Sequence, residues 1–388
     1  MNRIYLDYNA TAPLRPEARA ATVAALGVLG NASSVHAEGR AAHHVVENAR
    51  TEVARLVGGD AKLVTFTSGG TEANDTVLTP DWILSGKPHR ADLLLASAIE
   101  HPSVLAGGRF AKEAVRLIPV HETGVTDLAA LKAMLLQADR EGKRALVSLM
   151  LANNETGAIQ PVAQAAAMAH EHGALIHTDA VQAAGRIPVD IAALGVDVLT
   201  LSAHKIGGPQ GAGAIVRARD ELTFTPLLTG GGQEKRLRAG TENVAAIAGF
   251  GAAAKAAVGD LSRVHTWTAW RDRIAGLVGE TGSRTVVFGD SVNRLPQTLC
   301  FAVDGLTAET LLIALDLDGV AVSSGSACSS GKVAPSHVLA AMGVPPGLAK
   351  CAIRITLGWD SKESDLDSFA TAWRRVLSHV APGKIQAA

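Results

Sequence analysis

Residues 199–213, LTLSAHKIGGPQGAG, decide how the rest of the chain is read. An apolar run with β-type alternation ends in Ser202, Ala203, His204 and Lys205, and a glycine-rich turn follows that no regular element continues through. This sets a lysine amine at the mouth of a strand. A lysine desolvated there and close to another cation can act as a nucleophile toward a carbonyl and form a Schiff base. Taken by itself the stretch reads more readily as an exposed lysine in a surface turn, and other stretches change that balance.

Upstream of this stretch, strand-like and helix-like segments alternate. Residues 62–67, 92–96, 115–120, 145–149, 174–177 and 196–201 read as buried strands, and 45–57, 104–114, 128–138 and 162–172 carry apolar residues at helical spacing. Such alternation predicts an α/β fold, a mostly parallel sheet with helices on both faces, whose site lies at the carboxyl ends of the strands. Downstream the pattern changes. An alanine-rich segment at 252–260 leads to a helix over 261–278, short strands at 285–288, 298–303 and 351–356, and a last helix over 365–380, which together predict a smaller α+β domain. The division expected is 15–255 for the large domain, with 1–14 and 256–388 forming the small one.

Composition narrows the function classes. The 388 residues are 47% hydrophobic and 19% charged, enough for two domains with sizeable cores. With 36 basic and 37 acidic residues there is no electrostatic footprint for nucleic acid or an anionic membrane. Cys300, Cys328 and Cys351 are an odd, widely spaced set with no CxxC pair, which predicts a reducing, cytoplasmic setting rather than a disulfide framework. No apolar h-region opens the chain, no apolar run is read as a membrane span, and no metal-ligand spacing is present.

Several polar stretches fall at the predicted strand ends. TFTSGGTEAN at 65–74 is a strand, a Ser-Gly-Gly turn and a helix start, a place where free backbone N–H groups suit a phosphate; an ordinary strand-to-helix loop is the alternative. ALIHTDAVQ at 174–182 ends a strand in Asp179, with Gln182 three residues on. A carboxylate so placed can hold a proton on a heteroaromatic nitrogen, or it can simply cap a helix. His101 in SAIEHPSV and the polar loop LANNETGA, with Asn154, occupy equivalent edges. Arg354, alternating within CAIRITLG, can clamp a carboxylate or form a structural ion pair. GGGQEKRLRAGTEN at 230–243 is a basic, glycine-rich loop that either is solvated or reaches an anionic site across a subunit interface. SSGSACSSG at 323–331 sets Cys328 among residues too small to bury it, the pattern of a nucleophile that must travel or of a surface loop with a chance cysteine. Neither the P-loop nor the dinucleotide fingerprint is matched.

In combination these stretches resemble one family. YLDYNATAP from Tyr5, SSVHAEGR from Ser33, SGGTEAN from Ser68, IEHPSV from Ile99, NNETGAIQPV from Asn153, HTDAVQAAG from His177, SAHKIGGPQG from Ser202, RAGTENV from Arg238 and SSGSACSSG from Ser323 are similar, in order, to the cysteine desulfurases of the nitrogen-fixation and iron–sulfur housekeeping group. The resemblance implies a fold-type I transferase dependent on pyridoxal 5'-phosphate, with a seven-stranded sheet in its large domain. It also implies a cytoplasmic homodimer that takes sulfur from L-cysteine and passes it to an acceptor or scaffold protein for iron–sulfur cluster assembly. Lys205 looks like the Schiff-base lysine, Asp179 the partner of the pyridine nitrogen, Gln182 of the ring hydroxyl, and His101 the residue stacked on the ring. Gly70, Thr71, Ser202 and His204 would hold the phosphate, with Thr241 supplied by the other subunit. Asn154 and Arg354 would hold the substrate carboxylate, and Cys328, on a loop at 323–333 that swings out to partners, would accept the sulfur. The chain departs from the commonest family pattern at Gln210 and Ala12. A selenocysteine lyase or small-amino-acid aminotransferase of the same fold is the neighbouring alternative, and a non-catalytic sulfur-relay scaffold the one from another class.

Overall fold

A computed structural model describes residues 3–280, 284–325 and 335–380. Its centre is a seven-stranded sheet in the spatial order Val64–Thr67, Gly213–Arg217, Val198–Ser202, Leu175–Asp179, Ala145–Ser148, Leu93–Ser97, Val115–Ile118. Six strands run parallel; Gly213–Arg217 is antiparallel to both neighbours. Successive residues of a strand face opposite ways, and both faces here are apolar. Leu93, Leu95, Val147, Ile176 and Leu199 enter one core cluster, while Leu94, Ala96, Leu146, Leu175 and Val198 enter another on the far side. The helices Ala37–Leu56, Leu128–Arg140, Val162–Glu171 and Val244–Asp260 supply residues to the first cluster.

A four-stranded sheet, in the order Thr285–Val287, Thr298–Val303, Ala352–Thr356, Ser323–Ser324, carries a core of its own. The helices Val264–Gly279, Ala308–Leu317 and Glu363–Val380 pack there, with Trp373 edge-on to Phe301 and stacked on Phe369. Ile4 and Leu6, at the other end of the chain, belong to the same cluster.

The structure corrects several expectations. The helix expected over 104–114 is a single turn, Pro102–Leu105, because Gly107 and Gly108 take φ of +84° and +55° and turn the chain away. The helix expected from 45 begins at Ala37, capped by His36, since its first turns lie in solvent and carry no apolar period. Residues 213–217, which follow the glycine-rich turn and for which the sequence predicts no element, form the antiparallel strand. Residues 61–63 are a 3-10 turn before the first sheet strand, and 261–263 another between two helices. The reading that no apolar run approaches a membrane span also changes. On length and composition the helical stretch Val244–Gly279 is apolar enough to cross one. Yet Ile247, Phe250, Ala253, Ala254 and Ala257 of that stretch are buried in the sheet's core, as an apolar core helix requires.

Candidate active site

The carboxyl ends of the parallel strands open on a cavity of about 300 Å³. Gly70, Thr71, His101, Asn154, Asp179, Gln182, Ser202, His204, Lys205 and Arg354 all line it, from segments that span most of the chain. Of the other two predicted residues, Thr241 is exposed and does not line this chain's cavity. Cys328 lies outside the described residues.

Asp179 ends its strand almost fully buried. Its Oδ1 accepts the Val181 N–H at 2.9 Å and its Oδ2 accepts Asn74 Nδ2 at 2.9 Å. The same Asn74 amide donates to Ser103 Oγ at 2.9 Å, and Ser103 Oγ lies 2.8 Å from His101 Nδ1. Because Ser103 N–H also donates to Nδ1, the His101 proton sits on Nε2 when the ring is neutral. Burial, chiefly, pushes the His101 pKa down, which favours that neutral form. His204 is pushed down to about 4 by burial first and then by the neighbouring Lys205 and Arg186 cations, and its Nδ1 lies 3.1 Å from Thr11 Oγ1.

Lys205 follows its strand through a 3-10 turn, Ala203–Lys205. Its Nζ donates to the carbonyls of Asn9 and Ala10 at 2.6 and 2.8 Å, which ties the N-terminal segment to the cavity wall. Gly207, in the turn that follows, has φ of +83°, and a Cβ there would crowd Arg15, Pro13 and Trp359, so the turn needs its glycine. On the opposite wall Arg354 donates to the Asn154 carbonyl at 2.9 Å and to Asp7 Oδ1 at 2.8 Å. Arg354 Nε and Asn154 Oδ1 are buried with no hydrogen-bond partner among the described residues. Such atoms are costly unless a bound molecule satisfies them.

These features can be tested against pyridoxal 5'-phosphate, a flat ring with a phosphate at one end. The helix Gly70–Val77 has no side-chain cap on its first turn, so its leading N–H groups face the cavity mouth uncapped. Gly70 lies against Ser202, where an added Cβ would come within 3.3 Å of the serine Cβ. An anion-binding end, a buried carboxylate, a lysine amine and an imidazole therefore share one cavity. The residues present fit the cofactor.

Sequence reasoning missed several residues that hold this arrangement. Asn9, Asn74, Ser103, His177, Thr200 and Arg186 act from buried or neighbouring positions, and only the fold brings them together. Buried Arg186 donates to Asn9 Oδ1 at 2.7 Å, to the Tyr8 and Lys205 carbonyls and to Gln182 Oε1. Two further carboxyls went unassigned although their motifs were noted. Fully buried Glu100 accepts the Met150 N–H through Oε1, while burial and then Asp179 push its pKa well up. Glu155 accepts Ser336 Oγ at 2.5 Å, and a Cβ on Gly325 would collide with its carboxylate.

The loop that bears Thr241 is firmly placed. Glu234, Lys235 and Arg236 take φ of +46°, +55° and +68°, a left-handed run costing roughly 1–2 kcal/mol per residue. Glu234 offsets this by accepting both Arg50 guanidinium nitrogens, at 2.7 and 2.8 Å, and the Phe66 N–H at 2.8 Å. Arg238 pairs with Glu72 in the helix beside the phosphate end.

Comparison with known proteins agrees with this geometry. Residues 4–369 match the family model described as aminotransferase class-V. The chain is 42% identical over 374 residues to a cysteine desulfurase of Cereibacter sphaeroides, covering 95% of this chain and 94% of the relative. It superposes on the X-ray structure of a NifS-like protein from Rickettsia africae with a TM-score of 0.85 and 33% identity, covering 97% of this chain and all of the other. A structure titled "SspA in complex with cysteine" aligns with a TM-score of 0.73 and 25% identity over 91% of this chain and 98% of its own. This chain belongs to the class-V aminotransferase family and, within it, to the cysteine desulfurases.

Proposed function

We propose that this pyridoxal-phosphate-dependent enzyme converts L-cysteine to L-alanine and carries the released sulfur as a persulfide on Cys328. The single observation that carries the reading is the convergence of Lys205, Asp179, His101 and Arg354, from four separate stretches, on one cavity. When bound, pyridoxal phosphate withdraws electrons from the substrate Cα, which is what lets that carbon lose a proton. Asp179 would hold the proton on the ring nitrogen, Gln182 the ring hydroxyl, and the first turn of Gly70–Val77 with Thr71, Ser202 and His204 the phosphate. His101 would stack on the ring, neutral as its burial favours.

The chain's own groups then divide the work. Lys205 Nζ takes the Cα proton and returns one later in the cycle. Arg354 and Asn154 orient the substrate carboxylate, the charged fork of Arg354 matching a planar anion. Cys328 as thiolate attacks the substrate sulfur: the S–S bond forms, the Cβ–S bond breaks, and its electron pair ends in the C–H bond of the alanine methyl group. The balance is L-cysteine plus Cys328–SH giving L-alanine plus Cys328–S–SH, the thiol being oxidised as the carbon is reduced.

A homodimer is supported by Thr241, which is exposed on a pinned loop rather than set in its own cavity. The division at 15–255 is supported by the packing of Ile4 and Leu6 with the C-terminal sheet, although 255 itself falls inside the helix Val244–Asp260. A reducing, cytoplasmic setting suits a catalytic thiol, and Cys300 and Cys351 are buried and unpaired with each other. Delivery to a scaffold for iron–sulfur assembly follows from the same persulfide. The test is to incubate the protein with L-cysteine and a reductant and to quantify alanine and sulfide together. Equal amounts are expected; alanine without sulfide, or a requirement for a keto acid, overturns the reading.

A further inference from the structure

A line of hydrogen bonds runs through the sheet to Asp179. Ser148 Oγ lies 2.9 Å from His177 Nδ1, His177 Nε2 lies 3.0 Å from Thr200 Oγ1, Thr200 Oγ1 donates to Asn74 Oδ1 at 2.6 Å, and Asn74 Nδ2 donates to Asp179 Oδ2 at 2.9 Å. Ser148, His177 and Thr200 are wholly buried and Asn74 nearly so. The direction of every bond follows from the last. A carboxylate oxygen only accepts, so the Asn74 amide must present its NH₂ to Asp179 and its carbonyl to Thr200. Thr200 therefore spends its one proton on Asn74 and must accept from His177 Nε2–H. His177 is held neutral, its pKa pushed down to about 4 by burial, so Nδ1 accepts and Ser148 donates.

We infer that Ser148, His177, Thr200 and Asn74 form a one-way donor chain that positions the Asp179 carboxylate, and through the second Asn74 proton the His101 ring, for the bound cofactor. This rests on the proposed role of Asp179 toward the ring nitrogen. Of the four only Asn74 lines the cavity, where its amide bonds Asp179, Ser103 and Thr200. All four are positioning residues, and their effect falls off along the chain because each acts only through the next.

The experiment uses the cofactor-loaded enzyme and three readouts: the visible absorption band of the bound cofactor, kcat, and KM for L-cysteine. Thr200→Val keeps shape but removes the hydroxyl. It is expected to lower kcat about tenfold with KM within about twofold, and to shift the band. Thr200→Ser is expected to restore both. Asn74→Ala is expected to exceed Thr200→Val, and Ser148→Ala to stay within about twofold of the parent enzyme, giving a graded series. Should Thr200→Val fail to fold, the ratio of Asn74→Ala to Ser148→Ala carries the same test. Equal effects at all positions, an unmoved band, or no rescue by serine would overturn the chain. A parent enzyme that makes no alanine from L-cysteine would instead overturn the proposed function.

Discussion

The carboxyl edge of the seven-stranded sheet and the C-terminal four-stranded sheet meet at one cavity but equip it differently. The large sheet delivers Asp179 and Ser202 on strand ends, and Asn154, His101 and Lys205 within a few residues of them, behind which lies a buried network of donors. The small sheet delivers one side chain to the cavity, Arg354, and Ser323–Ser324, the strand that leads into the cysteine loop. The groups proposed to handle protons are placed at the ends of rigid elements, where small errors of position are costly. The segment proposed to carry the sulfur acceptor is flanked by described residues that are held in place: Glu155 packs against Gly325 before it and bonds Ser336 after it, and His337 Nε2 lies 2.9 Å from the Glu100 carbonyl. The proposed function thus asks precision of the large sheet and movement of the cysteine segment.

The largest effect that would sharpen this division is on the large-sheet side. Lys205→Ala should cut alanine formation by about 10³-fold or more while leaving cofactor-independent folding, followed by circular dichroism, intact. Arg354→Ala attacks the junction itself. It removes the bonds to Asp7 and Asn154 and is expected to cost about 3 kcal/mol of stability by leaving buried polar groups unpaired, read as a lower denaturant midpoint, together with a raised KM for L-cysteine.

Acid should attack the large-sheet side selectively. His177 has a folded-state pKa of about 4, below its unfolded value near 6.5, so the unfolded chain binds more protons between those values. Stability is therefore complete above about pH 6.5 and falls as pH drops toward 4, by on the order of 3 kcal/mol from this buried residue. Urea midpoints measured across that window check the sign, and a shallower profile in a His177→Gln variant, with the share of His204 remaining, isolates the residue. The smallest effect expected is at Glu100. Its pKa is well raised, so Glu100→Gln should change stability and kcat by less than about twofold in either equilibrium or rate, whereas Asp179→Asn should lower kcat by about 10²-fold. Similar losses at both carboxyls would break the distinction drawn between them.

Much of this was legible in the sequence because strand-end motifs carry both their element and their chemistry. TFTSGG, HTDAVQ and LSAHKIGG each end an apolar run in polar residues, and all reach the same cavity edge. The rest depended on partners distant in sequence. Nothing local marks Thr200 as the donor to Asn74, 126 residues away, or Glu234 as the partner of Arg50, 184 away. The helix expected at 104–114 failed for a local reason. Its apolar spacing was helical, but two adjacent glycines with positive φ ended it after one turn. The missed strand Gly213–Arg217 begins with the glycine that lets it pass Gly69, where a Cβ would meet backbone.

The most direct test of the division of labour is to run Cys328→Ala with L-cysteine in D₂O, measuring exchange of the Cα hydrogen alongside alanine formation. Exchange is expected to continue near the parent rate while alanine and persulfide are lost, and Lys205→Ala is expected to lose both exchange and alanine. Undiminished alanine and sulfide from Cys328→Ala would contradict that division.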